Sequence, residues 1–226
     1  MRKLNHKSLN LSIKAIAFDL DGTLLDTLED LAAATNWALR QNGMSERTLE
    51  EVRQFVGNGV RRLMEQAVPE GTPPQLFEQT FADFKTYYVG HCQERTCLYD
   101  GIPEMLRDLK RDGLRMAIVS NKLQAGVDEL YEQYFRDTVE VAVGERPGMA
   151  RKPAPDMVKL ALRELGVTAA EAVYVGDSDV DLLTAQSSGL PCISVLWGFR
   201  DRDFLLEHGA TCLVRQPEEV VKLLRQ

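Results

Sequence analysis

A chain of 226 residues is long enough to bury a sizeable core in one or two domains. Its hydrophobic fraction of 44%, charged fraction of 27% and net charge of −7 suit a soluble globular protein and argue against nucleic acid or an anionic membrane as the main partner. No apolar run approaches the length of a membrane span, and the four cysteines (Cys92, Cys97, Cys192, Cys212) form no CxxC pair, so the expectation is reduced thiols in the cytoplasm rather than zinc or a disulfide framework.

Residues 1–12, MRKLNHKSLNLS, are basic but lack the apolar middle of a secretion signal, and a loosely packed arm is expected there. A β-branched apolar run at 14–18 reads as a first strand. An entirely helical stretch follows. Thr27 with Asp30 has the spacing of a capping box, Leu28, Leu31, Ala32, Thr35 and Leu39 share a face, and Gly43 stops that helix. Thr48 with Glu51 opens a second helix that ends near Gly57. Val60, Leu63, Met64 and Ala67 have helical spacing, as do Phe77, Phe81, Phe84 and Tyr88 after Pro73 and Pro74. Trp37 and these aromatics read as core of the helical region.

From Asp100 onward strands and helices alternate. Pro103 and Gly113 bracket a helix over 103–111, DMVKLALRELG closes on Gly166, and DLLTAQSSG closes on Gly189. The strands between are 115–119, 139–143, 172–175 and 192–196, with a weaker one at 211–214. This alternation implies an α/β fold with a doubly wound parallel sheet. About 70 residues separate the first strand from Asp100, far more than a crossover needs, so we expect a helical cap domain at 26–96 inserted into a core made of 1–25 and 97–226. Crossing points near 25–27 and 94–100 would let such a lid move on two hinges.

The chemistry-bearing residues fall after strands or in strand-to-helix loops. Asp19 and Asp21 in KAIAFDLDGTLLDT project to one side of extended backbone, and carboxylates held that close call for a cation or a shared proton. Asp-Gly near a strand end is also a common turn signal. Asp177 and Asp181 in GDSDVD share a face if a helix starts near Ser178, although acids at a helix start also serve as caps. Ser120, followed by Asn121, offers a hydroxyl and backbone N–H groups to an anion; taken alone it is a plain N-cap. Lys152 in RKPAPD is a natural partner for carboxylates and a phosphate in one cavity; taken alone it is a surface lysine. Together they supply the parts of one phosphoryl-handling site beyond the carboxyl ends of the strands.

FDLDGTLLDT, VSNK, RKPAPD and GDSDVD resemble the four ordered motifs of the haloacid dehalogenase superfamily, from Ile16 to about Val195. The inserted helices and FVGNGV at 55–60 are similar to the cap of its phosphoglycolate phosphatase-like branch. The resemblance implies a Rossmann-like core, Asp19 as the nucleophile that forms an aspartyl phosphate, and Asp21 as general acid and then base. Ser120, Asn121 and Lys152 would hold phosphoryl oxygens. Asp19, Asp177 and the backbone carbonyl of Asp21 would bind Mg²⁺, with Asp181 supporting the metal site. Asp21 points to the phosphatases within that superfamily, because the dehalogenases lack this second acid. Ser188 before Gly189, where alanine is usual, is a small departure. The implied function is a cytoplasmic, Mg²⁺-dependent phosphatase of a small phosphorylated metabolite, with 2-phosphoglycolate leading, and a monomer or homodimer. A pyrophosphatase, a phosphosugar mutase or a non-catalytic phospholigand sensor are the alternatives on the same core. Cap residues Asn58, Arg53 and Arg61 are candidates for specificity, an arginine pairing with a substrate carboxylate, though either arginine is also an ordinary solvated helix residue.

Overall fold

Strand β1 (Ala15–Phe18) is buried on both faces along its whole length, as befits the centre of a parallel sheet, in the computed structural model, which describes residues 13–225. The expectation for residues 1–12 lies outside the described residues. After β1 the chain enters a separate compact unit, Leu25–Leu98, and the described residues before and after it form the other unit.

The Leu25–Leu98 unit begins with β2 (Leu25–Asp26) and continues through α1 (Leu28–Gln41), α2 (Leu49–Phe55), α3 (Gly59–Ala67) and α4 (Pro74–His91) to β3 (Cys97–Leu98). Strands β2 and β3 pair antiparallel, Leu25 with Leu98 and Asp26 with Cys97, so the unit is entered and left through one two-stranded ribbon. Its core holds Leu31, Leu39, Val52, Leu63, Met64 and Phe84. Along α4 the rings of Phe77, Phe81, Phe84 and Tyr88 stack in sequence, and Trp37 stacks on Tyr87 at 4.9 Å. The Thr48–Glu51 capping box forms as expected. The Thr27–Asp30 box does not. Thr27 makes no side-chain cap bond, and its buried Oγ1 has no hydrogen-bond partner among the described residues. Asp26 Oδ1 instead accepts from the Leu28 N–H at 3.2 Å. Asp30 is claimed from far along the chain: its carboxylate accepts from the backbone N–H groups of Arg95 and Thr96 and from the Thr96 hydroxyl, at 2.8–3.1 Å. A buried carboxylate can satisfy two N–H groups of the segment leading into β3 there, which a local cap could not do.

The other unit continues with α5 (Ile102–Arg111), β4 (Arg115–Leu123), α6 (Gln124–Leu130), which runs into a π-turn at Tyr131–Phe135, and β5 (Val141–Glu145). Then come α7 (Asp156–Glu164), β6 (Ala172–Gly176), α8 (Asp179–Ser188), β7 (Cys192–Val195), α9 (Arg202–Glu207), β8 (Leu213–Val214) and α10 (Pro217–Leu224). The six strands lie in the order β5-β4-β1-β6-β7-β8, all parallel. From β1 the chain winds outward through β4 and β5, then returns to β6 on the opposite side. The order therefore reverses at β1, the place where doubly wound sheets open a crevice beyond their carboxyl ends. Ala15, Ala17, Ala117, Val119, Ala172 and Tyr174 pack on Met157, Val158, Ala161 and Ala185 of α7 and α8. The alternate residues, Ile16, Phe18, Met116, Ile118, Val173 and Val175, are equally buried on the other face. All four cysteines are free thiols.

Phe84 has no exposed surface and lies between two stacked neighbours. Phe84→Ala is expected to destabilise the helical unit by about 3–5 kcal/mol, read from urea denaturation; a loss below about 1 kcal/mol would show that its core closes around the gap.

Candidate active site

The expected site residues lie just after β1 and β6, in the last part of β4 and in the loop after β5, and β4, β1 and β6 are immediate neighbours in the sheet. Asp19 directly follows β1, its N–H bonded to the carbonyl of Val175 on β6. Asp177 directly follows β6. Ser178 caps α8, its hydroxyl accepting from the N–H of Asp181 in a capping box. Capping does not take Asp181 out of the acid cluster: it closes the box through Oδ2 and turns Oδ1 to Lys152.

Carboxylate oxygens of Asp19, Asp177 and Asp181 lie within 4.8 Å of one another, all buried. Lys152 reaches in from the loop after β5. Its ammonium donates to Asp19 Oδ1 at 2.6 Å and Asp181 Oδ1 at 2.9 Å. It also lies 3.1 Å from the hydroxyl of Tyr174, which itself donates to Asp181 Oδ1 at 3.0 Å. Three carboxylates therefore face one ammonium. Burial, and after it the Asp181 charge, hold the Asp19 carboxyl well above its usual range despite Lys152. Asp177 is pushed up to about 7 by burial and then by Asp181, against the opposing pull of the Phe199 N–H, Arg200 and Thr23. For Lys152, burial works against the charge, but Asp181 and Asp19 outweigh it and raise its pKa. The residual negative charge and the all-oxygen donors fit a hard divalent cation, which binds carboxylates and carbonyls.

Asp177 is oriented from two sides. Thr23 Oγ1 donates to Oδ1 at 3.2 Å, and the Phe199 N–H donates to Oδ2 at 2.7 Å. The approach is close enough to exclude any Cβ at two glycines. Gly22, at φ 88°, would place a Cβ 2.6 Å from Asp177 Oδ2. A Cβ on Gly198 would overlap both the Asp177 side chain and the carbonyl oxygen of Gly22. Trp197 anchors this stretch by donating from Nε1 to the Thr23 carbonyl at 2.9 Å.

The other expected residues divide. Ser120 is buried, but it lies inside β4 rather than at a helix N-cap, because the strand continues to Leu123 and α6 starts only at Gln124. Asn121, expected at the phosphate, has its amide committed to Lys152: Nδ2 donates to that carbonyl at 3.2 Å and Oδ1 accepts that N–H at 2.9 Å. The Asp21 carboxylate stands apart from the acid cluster and is held by Lys122 at 2.9 Å. In the helical unit, Arg61 is bound to Glu78 through both η nitrogens at 2.9–3.0 Å and lies over Phe77 and Phe81. Arg53 lies 3.4 Å from Glu50, and Asn58 is an exposed N-cap residue of α3 with no side-chain cap bond. Sequence reasoning missed Thr23, Lys122, Tyr174 and the Trp197–Phe199 stretch. Tyr174 carried a usable signal, since a buried phenol requires a hydrogen-bond partner.

The sequence model of the haloacid dehalogenase-like hydrolase family matches residues 16–195. A phosphoglycolate phosphatase of Pseudomonas putida is 32% identical over 222 residues, spanning 94% of this chain and 77% of that protein. That of Thiobacillus denitrificans is 35% identical over 198 residues, spanning 85% and 87%. Among solved structures, a candidate phosphoglycolate phosphatase from Lactobacillus delbrueckii subsp. bulgaricus superposes with a TM-score of 0.90 at 35% identity, covering 95% of this chain and 99% of that one. CbbY from Rhodobacter sphaeroides, in complex with phosphate, gives 0.74 at 27% identity, covering 95% and 100%. With strand order, acid cluster and motifs all in agreement, the chain belongs to the haloacid dehalogenase-like hydrolases, on their phosphoglycolate phosphatase-like branch, and is an enzyme.

Proposed function

We propose that this enzyme hydrolyses a small phosphomonoester through an aspartyl phosphate, with 2-phosphoglycolate as the leading substrate. The reading is carried by the convergence of Asp19, Asp177 and Asp181 on one point with Lys152 among them. The likeness to phosphoglycolate phosphatases supports the substrate.

In the proposed reaction an oxygen of Asp19 attacks phosphorus, the bond to the leaving oxygen breaks, and Asp21 gives its proton to the departing alkoxide. Water then attacks the acyl phosphate, Asp21 takes the water proton, and the bond from phosphorus to Asp19 breaks, releasing phosphate. Lys152 and the Ser120 hydroxyl hold phosphoryl oxygens, and Asn121 fixes the Lys152 backbone. Asp19, Asp177 and the Asp21 carbonyl would hold Mg²⁺, with Asp181 supporting. That ion, when bound, supplies charge neutralisation between nucleophile and substrate. In the helical unit, Arg53, Arg61 and Asn58 stay candidates for recognising a substrate carboxylate, with Glu50 beside Arg53 and Glu78 on Arg61.

With p-nitrophenyl phosphate and then a panel of phosphorylated metabolites, phosphate release is expected with Mg²⁺ and to vanish in EDTA, returning on Mg²⁺ addition. Turnover that ignores the chelator would overturn the metal assignment, and transfer of phosphate between positions of a sugar without release would redirect the reading to a mutase. Asp19→Asn should lower kcat by at least roughly 10³-fold with the fold intact by circular dichroism; an active variant excludes Asp19 as nucleophile. Gly198→Ala should displace Asp177 and cut kcat/KM by about 10²-fold with Mg²⁺ saturating, and wild-type kinetics would show that this stretch does not set the Asp177 position.

A further inference from the structure

The polar run at the end of β4 contains one group that the reaction above does not use. Ser120, Asn121 and Lys122 are consecutive and all nearly buried, at 1%, 6% and 7% exposure. A regular strand turns successive side chains to opposite faces. Here the pairing with β5 jumps from Val119–Val143 to Leu123–Glu145, so β4 bulges where the polar run lies. Bulges beside active sites re-aim side chains. Ser120 Oγ accepts the Lys122 N–H at 3.1 Å, which ties the two residues together within the bulge.

A lysine is rarely buried without a partner. The Lys122 ammonium donates to Asp21 Oδ1 at 2.9 Å, with the two side chains 6% and 16% exposed. Its stem is also confined: a Cβ on Gly126 of α6 would stand 3.5 Å from its Cγ and Cδ. The lysine thus approaches Asp21 along a fixed path. The acid cluster has its own ammonium in Lys152, and Lys122 pairs with the carboxylate of Asp21.

We propose that Lys122 is the positioning residue of Asp21: by gripping Oδ1 it fixes the plane of the carboxyl group and leaves Oδ2 to pass the proton to and from the reacting oxygen. The proposal rests on the phosphatase reading and deepens it, by giving the acid–base residue its own support, separate from the nucleophile's. The proton balance is unchanged, since Lys122 stays an ammonium throughout and Asp21 alone gains and loses the proton.

Leaving groups separate this role from a general loss of structure. The ratio kcat/KM covers the steps through formation of the acyl phosphate. An alkoxide needs a proton to depart, whereas p-nitrophenolate leaves with little help. Lys122→Met keeps the stem and removes the charge. It should lower kcat/KM for an alkyl phosphate by roughly 10²-fold, and for p-nitrophenyl phosphate by less than about tenfold. Lys122→Arg, which keeps a cation, should recover part of the alkyl loss. Lys122→Gln replaces the methionine variant should that one fail to fold by circular dichroism. Equal losses on the two substrates, or no loss on the alkyl ester, would overturn the proposal while leaving the phosphatase reading standing. A wild type inactive on both esters would overturn the reading and the proposal together.

Discussion

The buried contact of the Lys152 ammonium with Asp19 and Asp181 is the constraint on which the rest of the core unit depends. Three buried acids this close repel one another, and without a cation at least one must take up a proton. Lys152 meets part of that demand from the protein itself. It is in turn over-determined: Asn121 holds its backbone from both sides, and Tyr174 touches its ammonium from below the sheet's end. The pair costs desolvation, so its presence speaks for chemistry more than for stability.

The sheet order explains why residues so distant in sequence meet. Strands β4, β1 and β6 are adjacent and parallel, so their carboxyl ends lie on the same side. Asp19 and Asp177, each directly after its strand, therefore need no long side chains to converge with Asp181. Only Lys152 travels far, and lysine is the residue with the reach to do so.

Much of this could be read from residue order. Each acid pair follows a run of buried apolar residues, so strand and acid cluster could be read together, and the over-long first crossover pointed to a separate unit. What escaped notice depended on contacts between distant segments. Thr27 and Asp30 have the right spacing for a capping box, yet the Arg95 and Thr96 backbone takes the carboxylate, a partner that no local pattern encodes. Ser120 looked like a helix cap because nothing in VSNK shows that the strand bulges onward to Leu123. Lys122 was present in the same motif, but spacing alone does not say which lysine will be buried. The Trp197–Phe199 stretch lies just past the last recognisable motif, and its Trp197 indole, Gly198 and Phe199 N–H act on Thr23, Gly22 and Asp177, partners far away in the sequence that no local pattern names.

The ribbon of β2 and β3 has a consequence for how such proteins diversify. Leu25 faces Leu98 across it, and one residue outward Tyr99 bonds back to the Leu24 carbonyl at 3.3 Å. Both ends of a 74-residue excursion therefore sit side by side, joined by a seam that belongs to neither the strand ladder nor the acid pocket. Splicing at one such seam can swap, shorten or delete the whole helical module in a single genetic event. The wound sheet would need no new crossover, and the pocket no new ligand.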